Sequence, residues 1–322
     1  MTTVELGAVV ALPAAIAAPH LLPLHMVNPA SAALVWLAAL ALRALTAVGG
    51  AIFAFFYLPQ TGIYDAISHW CWHEALPILA THFGVSGHPL IHAAVLLPGL
   101  ALAFSVLWLL FGLARGWLAL RSRLARPLGE GPLGSTVIED HQVVFGVTGV
   151  GRGRILVSDR ALGLMDPEEL EASLRHEMAH ICRRHRPLLL LASLLAALAR
   201  ALPGTRAAER ELRFTFERDA DQYAVRQTSD PLSLASAICK AAGATPLPSA
   251  IGLSDGGRVA LRLDILAGDA PRAGRILERG ARLLGLALTL MVLALSATLP
   301  SWALAAPRAE HTVSAVGEHC RD

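Results

Sequence analysis

The sequence predicts a mainly α protein in which several membrane-crossing helices carry a smaller α+β domain with a β-hairpin or small sheet. Three observations predict it. Only 16% of the 322 residues are charged and 54% are hydrophobic, with a mean hydropathy of +0.52; soluble domains carry roughly 25% charged residues. The charges are also unevenly spread, with none between Glu5 and Arg43, none from Ala75 to Ala114 and none from Leu283 to Pro307. Between the last two gaps, residues 115–280 carry strand-like and helix-like patterns separated by turn chemistry. The apolar excess excludes intrinsic disorder and argues against a soluble globular enzyme. A net charge of +2 gives no reason to expect direct contact with nucleic acid.

A helix needs about 20 apolar residues to cross a bilayer, and its backbone must be satisfied internally. Four crossings follow, at about 4–26, 32–58, 91–114 and 283–305. The first is interrupted by Pro13, Pro19, His20 and Pro23. A signal peptide is the rival reading there, but the basic leading segment is missing. Arg43 lies inside the second crossing, where it either snorkels, bonds a neighbouring helix or serves a function. The apolar run 187–199 is too short to span and fits a buried or interfacial helix.

Basic residues set the topology. Arg115, Arg121, Arg123 and Arg126 follow the third crossing, and Arg272, Arg275, Arg279 and Arg282 flank the fourth. The positive-inside rule then places 115–280 in the cytoplasm. The division is a membrane domain 1–114 with an outer loop 59–90, a cytoplasmic domain 115–280, a fourth span 281–305 and a short outer tail 306–322, with both termini outside. Cys71 and Cys320 fall on the outer side, where a disulfide between them can persist; Cys182 and Cys239 fall inside as thiols. The histidines and tryptophans of the outer loop read as an interfacial belt rather than a metal site.

Within 115–280, a Pro/Gly-rich linker (126–134) leads to two β-rich runs at 137–147 and 154–158. Gly149, Gly151 and Gly153 supply the turn of a hairpin between them. No Lys-Ser or Lys-Thr follows these glycines, so they are not a nucleotide loop. Asp166-Pro167-Glu168-Glu169 then announces a helix: a capping Asp, Pro at the first helical position and carboxylates at the positive end of the dipole. Leu170, Leu174, Met178 and Ile181 form its apolar stripe. It should end near residues 183–185, ahead of Pro187.

That helix carries His176-Glu177-Met178-Ala179-His180. Two histidines four apart share a face and can grip one cation; the Glu between them lies beside the cation, where it can take a proton from bound water. This is the HExxH arrangement of zinc metallopeptidases, with His176 and His180 as ligands and Glu177 as the catalytic base. One catalytic Zn2+ per chain needs a third protein ligand and an open position. Glu217, Glu209, Glu211 and Asp219 compete for that place. Asp221, one turn after Glu217 on the same face, favours Glu217 and would itself accept the second ring N–H of a ligand histidine. Tyr223 and Arg226 are candidates for binding the developing oxyanion. His185 falls off the ligand face and is expected at the surface, with Cys182 pointing away. An extended substrate is expected to add a strand to the sheet edge, probed along 154–158.

The segments Phe145-Gly-Val147, Arg154-Ile-Leu-Val-Ser158, Leu164-Met-Asp-Pro-Glu-Glu-Leu170, His176-Glu-Met-Ala-His180 and Glu217-Arg-Asp-Ala-Asp221 resemble the BlaR/MecR-type antirepressor membrane metallopeptidases. The resemblance covers roughly 137–225. It implies a zincin-like domain of the gluzincin type, with Glu217 as the third ligand, cleaving a protein or peptide substrate at the cytoplasmic face of a bacterial cell membrane. In the best-known members that substrate is a transcriptional repressor. His185 stands where those relatives often carry an acid. Only 17 residues follow the fourth crossing, and no Ser-x-x-Lys motif is present, so β-lactam sensing is not carried over. HtpX-like membrane quality-control peptidases share both motifs and are the rival enzyme reading; a membrane scaffold with a vestigial site is the non-enzymatic one. The oligomeric state is left open.

Overall fold

The computed structural model describes residues 3–58, 61–62, 69, 89–124, 127–148, 153–242, 258–268 and 273–305. The outer-loop belt (His69, His73, His82, His88, His92, Trp70 and Trp72), the Cys71–Cys320 pairing and the tail 306–322 lie outside these residues, His69 and His92 excepted. Helix α1 (Thr3–Leu21) leads through a short 3-10 turn (Leu24–Met26) into α2 (Pro29–Phe56). Helix α3 (Pro89–Leu124) precedes four short strands: β1 (Pro127–Glu130), β2 (Thr136–Ile138), β3 (Phe145–Thr148) and β4 (Arg154–Ser158). Then come α4 (Asp159–Leu164), α5 (Pro167–Cys182), α6 (His185–Leu198), α7 (Thr205–Thr228), α8 (Pro231–Ala242), α9 (Val259–Ala267) and α10 (Arg275–Ala305).

Among the described residues, three helices are long and apolar enough to cross a membrane: Pro29–Phe56, Leu96–Arg121 within α3, and Arg275–Ser301 within α10. They overlap the second, third and fourth expected crossings. The first expected crossing folds as α1, a 19-residue helix interrupted by Pro13 and Pro19. The three long helices differ in burial. Half of the apolar window of α2 is covered by protein, against 6% for α3 and 11% for α10. Large side chains such as Leu100, Phe104, Trp108 and Phe111 stand exposed on α3, a surface that water does not tolerate.

Helix α2 is central because its N-terminal half is covered from several directions. Val35, Trp36, Ala39, Leu40 and Leu42 pack in one cluster with Leu189 and Ala192 of α6, Ala208, Leu212 and Phe216 of α7, and Ala281 and Leu288 of α10. Gly285 lets α10 approach: a Cβ there would stand 3.0 Å from the Leu34 side chain. Asn28 caps α2 by accepting from Ala30 N, and Glu278 of α10 accepts from Asn28 N (3.0 Å) and Ser31 Oγ (2.7 Å). Arg43 bonds a neighbouring helix: its Nη2 donates to Ile16 O (2.7 Å) and meets His20 Nε2 (2.8 Å), tying α1 to α2. Gly204, which precedes α7, lies against this pair. It has φ +77°, and a Cβ would come within 2.9 Å of His20 Nε2.

The sheet order is β1-β2-β4-β3, with β2 parallel to β4 and the other pairs antiparallel. Two expectations change here. The run 137–147 is two strands, not one. Ser158 accepts from Val144 N and donates to Gln142 O, which draws the polar segment after β2 across the end of β4 so that the chain returns as β3 on its far side. The linker is partly a strand, since β1 pairs with β2. The hairpin is β3–β4, with Thr148 opposite Arg154. Strand β4 is therefore central, and prolines along it would break the sheet rather than probe an edge; β3 is the edge on the side of α5.

Helix α5 begins with the expected capping box, in which Asp166 N donates to Glu169 Oε2 (2.9 Å). Glu169 also takes Lys240 Nζ (2.6 Å) and Ser236 Oγ from α8, so one carboxylate fixes a helix start and a helix–helix contact. Leu174 is fully buried and Leu170, Met178 and Ile181 pack beside it, against the sheet and α8. The helix stops at Cys182, and Arg184 in the left-handed region (φ 55°) turns the chain. Pro187 then sits in the first turn of α6, where its missing N–H costs nothing.

Burial alone would raise the pKa of Glu169, but the hydrogen bonds from Lys240 and Ser236 hold it below the ordinary value. Its contribution is therefore complete above about pH 4.3, the unfolded glutamate value, and fades as pH falls through the lower folded value. Glu169→Gln should lower the thermal midpoint by a few degrees at pH 7, for a loss of about 1 kcal/mol. The gap to wild type should close in acid when both are melted in detergent across pH 3–7.

Candidate metal centre

Helix α5 places His176, Glu177 and His180 in the gap between the two apolar clusters, and α7 brings Glu217 and Asp221 in from the other side. All five are buried. His176 Nε2 and His180 Nε2 face each other at 3.2 Å. Glu217 Oε2 is 3.3 Å from the first and Oε1 is 3.7 Å from the second. Ligand atoms of these three residues all lie within 4.8 Å of one another, although 37 residues separate the Glu from the nearer His. Glu217 Oε2 is buried between His176 Nε2 and, at 3.1 Å, Arg262 Nη1. Two imidazole nitrogens and a carboxylate gathered this closely could hold a divalent cation. Two histidines and one glutamate are a donor set that zinc takes in catalytic sites.

The partners of the ligands determine their tautomers. His176 Nδ1 stands 2.9 Å from Asp221 Oδ1, so its proton belongs on Nδ1 and its Nε2 is free to ligate. His180 Nδ1 meets His185 Nδ1 at 3.0 Å, and His185 Nε2 meets Asp219 Oδ2 at 3.1 Å. With a cation on His180 Nε2, His180 would donate from Nδ1 to His185, which would in turn donate from Nε2 to Asp219. Arg183 Nη1 donates to the other oxygen of Asp219 (3.0 Å). This overturns the surface assignment of His185, which is 2% exposed. The turn at Arg184 folds it back beside His180, a geometry that straight helical spacing cannot express. Asp219 is an orienting acid two residues from Glu217, not a rival ligand, and Cys182 is exposed as expected.

Arg262, carried by α9, is the residue that sequence reasoning missed. It is 2% exposed and clasps Asp221 through Nε (2.8 Å) and Nη2 (2.6 Å), with Nη1 3.1 Å from Glu217 Oε2. Two buried carboxylates one turn apart demand a cation, and that demand was the available signal; nothing distinguished this arginine from the many others. Glu209 and Glu211 lie elsewhere, paired with Arg213 and Arg258. Tyr223 lies under the Arg183 guanidinium, 5.8 Å from centroid to Cζ, and Arg226 is exposed.

Electrostatics follow from burial and pairing. Burial would raise the pKa of Glu217, but Arg262 and His176 hold it down at about 2. For Asp221 the same burial is overcome by Arg262 and His176, leaving it far below the ordinary range. Burial opposes charge on His176, yet its hydrogen bonds to Asp221 and Glu217 raise it to about 9 in the metal-free site. For His180 burial outweighs the attraction of the Glu217 carboxylate 3.7 Å away and pushes it down to about 3. Glu177 is raised to about 7, chiefly by burial, and neither of its oxygens has a hydrogen-bond partner.

Residues 136–215, a quarter of the chain, match the sequence model of peptidase family M48. The match spans β2 to β4 and the HExxH helix and ends two residues before Glu217, so Glu217 as candidate third ligand is supported by geometry and not by the match. No curated protein and no solved structure matches the chain. The match supports a metallopeptidase, and the three apolar helices are compatible with membrane association.

Two substitutions test this wiring. His185→Ala should weaken zinc binding about 10–100-fold in chelator competition, because His180 loses the acceptor that fixes its tautomer. Arg262→Met should cost about 3–5 kcal/mol of stability by leaving the buried carboxylates uncompensated, read as a fall in thermal midpoint that added zinc partly reverses.

Proposed function

We propose that this chain is an integral membrane zinc metalloendopeptidase that cleaves a regulatory, repressor-like protein at the cytoplasmic face of a bacterial cell membrane. One observation carries the enzymatic reading: Glu217 reaches the paired His176 and His180 nitrogens from a separate helix, and the unpartnered Glu177 carboxylate lies beside them. Zinc bound by His176, His180 and Glu217 would lower the pKa of its water to about 7 and polarise the scissile carbonyl. Glu177, with a pKa near 7 and both oxygens free, is matched to take the proton from water and hand it to the leaving amine. Asp221 and His185 hold the ligand rings in the ligating tautomer, and Arg262 keeps Glu217 and Asp221 ionised.

The membrane setting is supported by packing. The half of α2 that touches the site helices is its N-terminal half, and the other half bears the exposed Phe53, Phe55 and Phe56. With residue 29 on the cytoplasmic side, the site lies at the level of the inner leaflet, within reach of a membrane-proximal substrate. The repressor-like substrate rests on the BlaR/MecR resemblance.

Glu177→Gln should keep one zinc per chain and lose about 10²–10⁴-fold in peptide cleavage. Normal turnover by this variant would refute the base. In cells, the variant should accumulate one uncut transcription factor; accumulation of many membrane proteins would instead identify a quality-control peptidase. A scaffold would hold no stoichiometric zinc. Proline at Val147, on the edge strand β3, should raise KM for peptides while zinc content stays unchanged, if the substrate pairs with that strand.

A further inference from the structure

Hydrolysis of a peptide bond turns a neutral carbonyl oxygen into an oxyanion, and a site that speeds the step presents a donor to it. The cations around the ligands are mostly committed. Arg262 is held by Asp221 and Glu217, Arg183 is held by Asp219, and Arg226 is exposed. Arg186 differs. It is the second residue of α6, directly after His185, whose ring is locked between His180 and Asp219. The link that orients a ligand histidine therefore also fixes the backbone of Arg186.

Arg186 Nη1 is buried and has no hydrogen-bond partner, and the acid whose field it feels is Glu177. Both oxygens of Glu177 are likewise buried without a partner. The guanidinium and the carboxylate are therefore not bonded to each other, and each leaves buried atoms that a third polar group can satisfy.

We propose that Arg186 is a catalytic residue whose Nη1–H donates to the oxyanion that develops on the scissile carbonyl. This rests on the peptidase reading of the site. In the first step a water O–H proton passes to the Glu177 carboxylate, the water oxygen bonds to the carbonyl carbon, and the C=O π pair moves onto the carbonyl oxygen facing Arg186. In the second step that pair re-forms C=O, the C–N bond breaks, and the Glu177 proton goes to the amine nitrogen. Arg186 stays protonated throughout and trades no proton, so its charge acts most strongly where the negative charge is largest.

Two metal-directed probes separate this role from substrate binding. N-phosphoryl-Leu-Phe presents a tetrahedral anion where the oxyanion forms. Mercaptoacetyl-Leu-Phe offers the same dipeptide and a thiolate, but no such oxygen. With the zinc-loaded full chain in detergent, Arg186→Gln should bind the phosphoryl probe roughly 10²-fold more weakly and the thiol probe within about twofold of wild type. Its kcat should fall by a similar factor with KM little changed, and Arg186→Lys should recover part of both losses. Unchanged phosphoryl affinity in either variant, or a parallel loss for both probes, would overturn the proposal. Failure of the underlying reading looks different: the wild type itself would bind neither probe.

Discussion

The volume enclosed by α5, α7 and α9 holds Glu177, Glu217, Asp221, Arg262 and two imidazoles with almost no access to water, and buried charges there must sum close to zero. Glu217 and Asp221 are ionised, Arg262 offsets one of them, and in the metal-free site a proton on His176 offsets the other. For Glu177 burial outweighs the charges of His176, Arg186 and Arg262, and its pKa is raised to about 7. A divalent cation in place of the His176 proton adds one further positive charge. That charge would favour an ionised Glu177, so the cost of burying charge links the ligand geometry, the ligand tautomer and the readiness of the base.

This cage is bolted to the apolar helices. Arg218, between Glu217 and Asp219, turns the other way and donates to Val27 O (2.9 Å) and Leu24 O (3.4 Å) in the turn that joins α1 to α2. The start of α7 rests at Gly204 against the Arg43–His20 contact. The last apolar helix holds the same turn, through Ala273 N to Met26 O and Glu278 to Asn28. Helix α7 therefore presents its candidate ligands on one face and meets the turn between α1 and α2 on another. Alternate residues on a single element are shared between the candidate metal site and the contact with the apolar helices, so displacement of one is expected to be felt by the other.

Much of this was readable because it is local. The capping box at Asp166–Glu169, the stripe from Leu170 to Ile181 and the His176–His180 spacing are all properties of one helix, and helical periodicity dictates them without knowledge of the fold. Glu217 and Asp221 were legible for the same reason, as an acid pair one turn apart. What escaped depended on chain reversals. His185 reaches His180 only because Arg184 turns left-handed, and Arg262 reaches Asp221 across 41 residues through α9, a helix with no motif of its own. The run 137–147 read as one strand because its β-forming residues outweigh the polar segment inside it; the Ser158 hydroxyl, distant in sequence, converts that segment into a crossover.

The central claim is that zinc is held by two imidazoles and one carboxylate that come from separate helices. X-ray absorption at the zinc edge, on purified wild type and Glu217→Ala, tests it most directly. The account predicts a wild-type shell of two imidazole nitrogens with oxygen neighbours at about 2.0–2.2 Å and no sulfur, losing an oxygen and most of its zinc occupancy in the variant. A sulfur neighbour near 2.3 Å, or a zinc shell indifferent to the loss of Glu217, would contradict it.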